Sequence, residues 1–343
     1  MIFVTGGSGL VGSFLIAELV ARGESVRALY RGENIPSIAN AGQVEWVQGD
    51  LRDALGLRVA LEGVTHVFHC AGLVSYAPQD ETALLQINVE GTANVVDACL
   101  ERPGIRLGYV SSVAALGSKS GEQPAGPVQL DETAKWDLGA EHNAYATSKY
   151  LAELEVWRGV SEGLQAIAVN PSVILGPADW NRSSTRLFRY AYDQHAFYTP
   201  GNINVVDVRD VVDMLLRLTL DTAISGERFV LSAQAIPLRD FLAQAAACFR
   251  RKPPTVAVPN WAAETIWRLE HVRSVLTGAR PLITKDTARA GRRPVEYRAE
   301  KVQRVLGKSF RALSDTITWC CQELIAHQST TKQPVPPAGV LGQ

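Results

Sequence analysis

Short runs of apolar, often β-branched residues alternate with helical patterns through the first half of the chain. The runs predict strands at 2–4, 25–30, 44–47, 65–70, 107–110 and 166–170. Apolar residues at helical spacing predict helices at 13–21, 84–100 and 144–162. This alternation is typical of βαβ units, so the pattern predicts an α/β protein with a Rossmann-type doubly wound parallel sheet. Ligands of such sheets bind beyond the carboxyl ends of the strands.

The pattern becomes less regular in the second half of the chain. We therefore predict a first domain at 1–175, to which the segment 203–220 returns as a helix. Segments 176–202 and 221–328 are expected to form a smaller, mainly helical C-terminal domain that binds the substrate. The tail at 329–343 is rich in Pro and Gly, and we expect it to be disordered.

Charge and composition argue against several classes of protein. The 34 Lys and Arg residues balance 35 Asp and Glu residues, a net charge of −1, which argues against a nucleic-acid partner. No apolar run reaches the ~18 residues that span a bilayer, and the N-terminus shows no secretory signal. We therefore expect a cytoplasmic protein with no membrane partner. Five cysteines without C-x-x-C spacing argue against a metal site and a disulfide framework.

A glycine-rich turn follows the first predicted strand. Gly6, Gly9 and Gly12 give the spacing G-x-x-G-x-x-G between a strand and an amphipathic helix. Glycines let the backbone approach a pyrophosphate, whose charge then lies at the helix N-terminus. In this context the motif predicts nucleotide binding, which makes the first domain a dinucleotide-binding domain.

The end of the second predicted strand bears on the choice between NAD and NADP. NAD-binding turns carry an acidic residue about 20 positions after the glycines, where it bonds the ribose hydroxyls. Here the strand ends in Tyr30-Arg31, with no carboxylate. Arg31, together with Arg27, offers guanidinium groups that suit a 2′-phosphate. The sequence therefore favours NADP(H) and leaves NAD(H) as the alternative.

A tyrosine and a lysine lie four positions apart in the predicted helix at 144–162. This spacing places Tyr145 and Lys149 on one helix face. A free tyrosine has a pKa of about 10, and a neighbouring ammonium favours its phenolate form. Ser112 lies at the end of a predicted strand, where its hydroxyl would hold a substrate oxygen beside Tyr145. The three residues form a candidate catalytic group for proton transfer.

With these motifs in order, the chain resembles the extended short-chain dehydrogenase/reductases, within the NAD-dependent epimerase/dehydratase group. The resemblance covers roughly residues 1–325. Its motifs are TGGSGLVG at 5–12, GD at 49–50, HCAG at 69–72, INVEGTANVV at 87–96, YVSS at 109–112 and YATSK at 145–149.

The resemblance implies a role for each matching position. It implies a cofactor site made of Gly6, Ser8, Gly9, Leu10, Val11, Gly12, Arg31, Asp50, Leu51, Ala71, Gly72, Tyr145, Lys149, Pro171 and Ser172. Within that set, Asp50 and Leu51 would contact adenine, while Pro171 and Ser172 would flank the nicotinamide. Asn88 would support the active-site side of the sheet. Tyr145 would transfer a proton, Ser112 would bind the substrate oxygen, and Lys149 would hold the nicotinamide ribose and lower the pKa of Tyr145.

The segment at 170–177 separates branches of this group. Sugar-nucleotide epimerases and dehydratases tend to carry R-x-x-N-V-Y-G-P, whereas this chain has NPSVILGP and keeps only Gly-Pro. The stretch VRALYR at 26–31 and the NPSVILGP segment look more like dihydroflavonol reductase-type carbonyl reductases, which use NADPH. The resemblance therefore implies reduction of a ketone or aldehyde, or oxidation of the alcohol. An epimerase or dehydratase is the alternative, and a dinucleotide sensor without turnover is a third reading.

The resemblance also implies an oligomeric state. The apolar faces at 84–100 and 144–162 exceed what one sheet layer needs, and in this family such helices pair across a two-fold axis. We therefore expect a homodimer built on a four-helix bundle.

Overall fold

The structure is a computed structural model that describes residues 1–117, 127–180, 184–277 and 295–331. Seven parallel strands form the main sheet: β1 (Ile2–Thr5), β2 (Val26–Tyr30), β3 (Val44–Gln48), β4 (His66–His69), β5 (Arg106–Val110), β7 (Gln165–Pro171) and β11 (Glu227–Leu231). Their order across the sheet is β11-β7-β5-β4-β1-β2-β3. The order reverses at β1, so the prediction of a doubly wound parallel sheet is confirmed.

Helices cover both faces of this sheet, and others belong to a second lobe. In chain order the helices are α1 (Leu10–Ala21), α2 (Ala54–Ala60), α3 (Glu81–Leu84), α4 (Gly91–Leu100), α5 (Ala144–Ser161), α6 (Thr185–Tyr192), α7 (Val208–Leu220), α8 (Leu238–Cys248), α9 (Asn260–Thr277), α10 (Glu300–Leu306) and α11 (Leu313–Thr331). A π-helical turn at Leu85–Glu90 joins α3 to α4, so the helix predicted at 84–100 begins earlier and carries an irregular turn.

Each face of the sheet has its own apolar core. On one face, α1, α7 and α10 bury residues such as Leu15, Leu215 and Val302 against the strands. On the other face, α2, α4 and α5 bury Leu57, Val95 and Val156. The carboxyl ends of the strands are left as the edge where polar groups collect.

A second lobe surrounds a third apolar core. Its strands are β8 (Val173–Leu175), β10 (Asn202–Asp207) and β12 (Gln234–Pro237) in one sheet, and β9 (Phe197–Tyr198) with β13 (Val256–Ala257) in another. A further parallel pair joins β6 (Val128–Leu130) to β14 (Val295–Tyr297). The core of this lobe lies mainly among α6, α8 and α11. The prediction of a smaller, mainly helical C-terminal region is confirmed, and these short strands lie beside its helices.

The boundaries between the lobes differ from those predicted. Residues 227–231, expected in the second domain, form an edge strand of the main sheet beside β7. Conversely, β10 pairs with β8 and β12 in the small sheet, while the helix that follows it returns to the main core as expected. Both differences arise because strand pairing joins segments that are distant along the chain.

Two further expectations fall at the margin of the described residues. The expected disordered tail at 329–343 is wrong for 329–331, which continue α11; 332–343 lie outside the described residues. Within the described ranges, no helix combines the length and apolarity that crossing a bilayer requires. The same ranges hold no cluster of His, Cys, Asp and Glu suited to a metal ion.

Candidate active site

The glycine turn brings the ends of β1 and β4 into backbone contact. Gly6 has a φ of +71°, and a Cβ added to it would lie 2.6 Å from the Ala71 backbone nitrogen. A Cβ on Gly12 would lie 2.7 Å from the carbonyl carbon of Gly6. Only glycine fits at either position, because each faces rigid backbone. The turn closes through a 2.9 Å bond from the Gly9 nitrogen to the Gly6 carbonyl oxygen.

The turn opens directly onto the N-terminus of α1. Gly9 is the N-cap residue and supplies no side chain to cap the helix, so the first-turn N–H groups meet no side-chain acceptor there. Ser8 is exposed, whereas the side chain of Val11 is buried in the core. Val11 and Gly12 therefore serve the turn through backbone and packing. The arrangement fits a dinucleotide pyrophosphate.

At the ends of β2 and β3, two arginine side chains lie near the carboxylate of Asp50. Asp50 accepts 2.9 Å and 3.0 Å bonds at Oδ1 from the backbone nitrogen and Nε of Arg52, and a 2.9 Å bond at Oδ2 from Nη2. These bonds, with the nearby charge of Arg31, hold the pKa of Asp50 down to about 2. Arg31 is exposed beside this pair. Sequence reasoning missed Arg52, although it lies two positions after the GD motif.

Two neighbouring residues have structural roles. Arg27 donates to Glu45 at 2.8 Å and to the carbonyl oxygens of Ala60 and Glu62, so the suggestion that it helps bind a 2′-phosphate is wrong. Leu51 is buried beneath α4. A Cβ added to Gly91 of that helix would lie 3.0 Å from the Cβ of Leu51. Its side chain therefore belongs to the core between the sheet and α4.

Ser112 and Tyr145 meet at the carboxyl end of β5. The Ser112 hydroxyl, which accepts a 3.2 Å bond from the Ala114 nitrogen, lies close enough to the Tyr145 phenol to influence its pKa, and Tyr145 is 9 % exposed. The ring of Tyr76, from the loop after β4, packs edge-on against Tyr145 with centroids 5.6 Å apart. Burial is the main reason that the pKa of Tyr145 rises to about 12; Tyr76 adds to the shift, and the nearby Ser112 hydroxyl opposes it. Tyr145 is therefore protonated at neutral pH.

Lys149 lies one helical turn further, deeper in the sheet edge. Its Nζ donates 2.9 Å bonds to the Tyr109 hydroxyl and to the Val110 carbonyl oxygen. Burial lowers the pKa of Lys149 to about 8, although Glu153 and Cys70 oppose that change. The expectation that Lys149 lowers the pKa of Tyr145 is wrong for this structure, because the ammonium is bonded to Tyr109 and desolvation dominates the phenol.

The π-helical turn aims a buried amide at the same edge. Asn88 accepts a 2.7 Å bond from the Leu73 nitrogen and donates to the Leu73 carbonyl oxygen and the Ser148 hydroxyl. A Cβ on Gly72 would lie 3.4 Å from Asn88 Oδ1 and 3.9 Å from Lys149 Nζ. Asn88 thus ties the loop after β4 to α5, which agrees with its expected supporting role, and Gly72 lines the groove over Lys149.

The end of β7 holds further polar groups. Asn170 donates a 3.0 Å bond to the Ser112 carbonyl oxygen and a 2.7 Å bond to Glu153, while its Oδ1 has no partner. Ser172 is buried and its hydroxyl also lacks a partner. Pro171 lies beside it at the end of the strand. These unpaired oxygens sit where the resemblance places the nicotinamide, and they fit a ligand that offers N–H or O–H donors.

Glu153 was missed by sequence reasoning. It is 2 % exposed and accepts bonds from the Ser111 hydroxyl at 2.6 Å and from Asn170. Arg228, on β11, lies 3.3 Å from its other oxygen. The signal was present in the spacing, since Glu153 follows Lys149 by four positions, as Lys149 follows Tyr145.

Two aromatic contacts lie in the segment 176–202, which was expected in the substrate-binding domain. His195 stacks on Tyr190 at the surface of the second lobe. Trp180 packs against Tyr192 and Phe249 beside the core of that lobe. Residues 181–183 of this segment lie outside the described residues.

A cavity of about 300 Å³ lies beside the site rather than in it. Its walls include Asn204, Ser232, Arg298 and Tyr297, but not Ser112, Tyr145 or Lys149. Burial raises the pKa of Tyr297 in this cavity to about 12, and Tyr76 adds to the shift.

A Rossmann sheet with this glycine turn and a Ser112–Tyr145–Lys149 cluster defines a dinucleotide-dependent enzyme of the short-chain dehydrogenase/reductase type. The family model for the NAD dependent epimerase/dehydratase family matches residues 2–231. The chain therefore belongs to that family, and its activity class is that of NAD(P)-dependent oxidoreductases.

Three relatives illustrate the range of activities in the family. A protein of Synechocystis sp., provisionally named a dihydroflavonol 4-reductase, is 34% identical over 328 residues, which are 92% of this chain and 93% of that protein. Sterol demethylase protein B of Methylococcus capsulatus is 32% identical and covers 75% and 76% of the two chains. Cinnamoyl-CoA reductase 1 of Oryza sativa subsp. japonica is 31% identical and covers 62% and 65%.

Solved structures agree on the fold. The crystal structure of gox2253 is 31% identical, with a TM-score of 0.79 over 95% of this chain and 98% of that chain. MoeE5, solved with UDP-glucuronic acid and NAD, is 21% identical, with a TM-score of 0.72 over 96% and 99%. The likeness to MoeE5 shows the fold alone.

Proposed function

We propose that this protein is an NADPH-dependent carbonyl reductase that acts on a ketone or an aldehyde. The observation that carries the proposal is the buried Tyr145 phenol, which lies beside Ser112 and is protonated at neutral pH because burial raises its pKa to about 12. A protonated acid beside a hydroxyl donor is the arrangement that carbonyl reduction needs. The named reductases among the relatives support the same reading.

Different residues of the chain would polarise the carbonyl group, transfer the proton and hold the cofactor. Ser112 and Tyr145 would both donate hydrogen bonds to the carbonyl oxygen, which polarises the C=O bond. When bound, the reduced nicotinamide supplies the hydride that forms the new C–H bond. Tyr145 gives its proton to the oxygen as the C=O π bond breaks, and solvent returns a proton to the phenolate afterwards. Lys149, whose ammonium faces the groove at Gly72, would hold the nicotinamide ribose.

The preference for NADP(H) rests on the ends of β2 and β3. Arg31 directly follows β2, at the position where NAD-binding turns carry an acidic residue, and Arg52 lies at the end of the neighbouring strand β3. Asp50 is already engaged by Arg52. Two guanidinium groups suit a 2′-phosphate.

Two features count against a nucleotide-sugar substrate. Asn170 occupies the place of the arginine in the epimerase motif, and its amide nitrogen is bonded to Ser112 and Glu153. Leu175 occupies the place of the motif's tyrosine and is wholly buried in the core of the second lobe.

The test is consumption of NADPH and of NADH by the purified protein with a panel of aldehydes, ketones and dihydroflavonols. We expect turnover that prefers NADPH, that falls by about 100-fold or more in Tyr145→Phe, and that loses its NADPH preference in Arg31→Ser. Arg27→Gln is the matched control, since Arg27 bonds the protein and not the groove. If nucleotide sugars are converted and no carbonyl on the panel is reduced, the proposal is wrong and the epimerase reading replaces it.

A further inference from the structure

A wholly buried tyrosine lies beneath the ammonium of Lys149. Tyr109, on β5, is 0% exposed, and its hydroxyl accepts a 2.9 Å bond from Lys149 Nζ. The ammonium also lies 4.6 Å from the centroid of the Tyr109 ring, within cation–π range. The carbonyl oxygen of Val110 accepts a second N–H. An ammonium has three N–H groups, so these two bonds leave the third for the groove beside Gly72.

Other buried groups surround Tyr109. The Thr92 side chain lies close to its hydroxyl, and the His69 ring stacks on Tyr109 with centroids 5.4 Å apart. Thr92 donates a 2.5 Å bond to the Asn88 carbonyl oxygen, so it must accept from His69 Nε2, 2.9 Å away. We assign the ring proton of His69 to Nε2 on this ground.

This series of hydrogen bonds ends at the glycine turn. With its proton on Nε2, His69 accepts at Nδ1 from the Thr5 hydroxyl at 2.7 Å. Thr5 in turn accepts a 3.2 Å bond from the Ala71 nitrogen, and Ala71 is the residue that Gly6 touches. From Thr92 to Ala71 every donor in this series has an acceptor, which is the condition under which a buried network rigidifies a site.

We propose that Tyr109 is a positioning residue: its phenol anchors the ammonium of Lys149 and directs one N–H into the cofactor groove. Nothing in the YVSS motif assigns a role to this tyrosine. The inference rests on the proposed function only for the use made of Lys149, because the anchoring itself is a contact within the chain.

The anchor also keeps Lys149 charged in a buried place. The ionisable groups that face it are Glu153 and Tyr145 on α5, His69 and Cys70 at the end of β4, and Tyr109 itself. The pKa values of His69 and Cys70 are shifted to about 3 and about 12, so both are neutral near pH 7. Burial already lowers the pKa of Lys149 to about 8, and loss of an acceptor would lower it further.

The test measures the ionisation of Lys149 directly. NMR of ¹³C,¹⁵N-lysine-labelled protein, with the Lys149 signal assigned by its loss in Lys149→Arg, reports the pH at which the ammonium titrates. In Tyr109→Phe we expect the titration to move down by about one pH unit, since a bond to a charged donor is lost. Thr219→Val is the matched control, because it removes a buried hydroxyl on α7, close to β5 but outside this network. A Lys149 titration that is unchanged in Tyr109→Phe overturns the proposal.

A second readout and a second variant guard against a folding defect. Fluorescence titration with NADPH at pH 8 should show about fivefold weaker binding in Tyr109→Phe, the ratio of charged Lys149 at pKa values one unit apart. Thr92→Val removes the hydroxyl that bonds His69, whose ring stacks on Tyr109, and should shift the Lys149 titration in the same direction by less. If Tyr109→Phe does not fold, an unchanged titration in Thr92→Val overturns the proposal. Neither readout needs a substrate, so failure of the carbonyl panel leaves this test intact.

Discussion

Burial moves the ionisable groups of the site toward their neutral forms. It raises the pKa of Tyr145 to about 12, and lowers that of Lys149 to about 8 and that of His69 to about 3. Desolvation is the largest cause in all three, because each side chain is enclosed between the sheet edge and helices. The site therefore presents a phenol that is ready to give a proton.

The neutral His69 makes stability depend on pH. Its pKa in the folded protein lies below the ordinary value of 6.5, so the unfolded chain binds the proton more readily. The contribution of neutral His69 to the free energy of unfolding is complete above pH 6.5 and is lost as the pH falls toward 3. Between pH 7 and pH 5 we expect a loss of about 2 kcal/mol from this residue alone.

Urea unfolding of the wild type and of His69→Gln at pH 7 and pH 5 checks this expectation. The variant should be less stable at pH 7 and should lose less on acidification, because glutamine does not titrate. Equal losses in the two proteins would show that His69 is not the group responsible.

Two elements set the geometry of the cofactor groove, namely the β1–turn–α1 unit and the π-helical turn before α4. The first works because Gly6 and Gly12 let two stretches of backbone touch. The second works because an irregular turn brings the Asn88 amide to Leu73 and Ser148 together. In both, backbone geometry decides where polar groups point.

Gly12→Ala tests the glycine turn. The added Cβ would press on the carbonyl carbon of Gly6 at 2.7 Å and on the Gly7 Cα at 2.9 Å, so the turn must shift. We expect NADPH and NADH to bind about tenfold or more weakly, by similar factors, because both share the pyrophosphate. The measurement is fluorescence titration with each cofactor. Gly42→Ala is the control, since a Cβ there meets nothing within 4 Å; equal affinities in the two variants would contradict the argument.

The whole molecule joins a Rossmann lobe to a second lobe through shared strands and helices. The chain crosses between the lobes several times, as β11 returns to the main sheet and α10 packs in its core. The outer surface of the Rossmann lobe keeps apolar side chains: Leu154 on α5 is 42% exposed and Leu85 on the π-helical turn 37%. These residues lie on the helices that the family resemblance leads us to expect in a dimer interface.

We propose that a second copy of this chain covers that surface. Leu154→Arg should convert the protein from dimer to monomer, because a charge cannot be buried unpaired in an apolar interface. Val305→Arg is the control, since Val305 is 41% exposed on α10, which packs on the opposite face of the sheet. Light scattering coupled to size exclusion gives the mass of each. A monomeric wild type, or a dimer that survives Leu154→Arg, would refute the proposal.

The sequence by itself determined the features that depend on neighbours along the chain. The glycine turn, the four-residue spacing of Tyr145 and Lys149, and the alternation of strands and helices are local, and turn or helix geometry translates them directly into positions. Only the tertiary structure decided which distant groups meet. It brought Tyr109 under Lys149, Asn170 and Arg228 to Glu153, and Glu45 to Arg27. It also decided the pKa values, because desolvation depends on everything packed around a group and not on its neighbours in sequence.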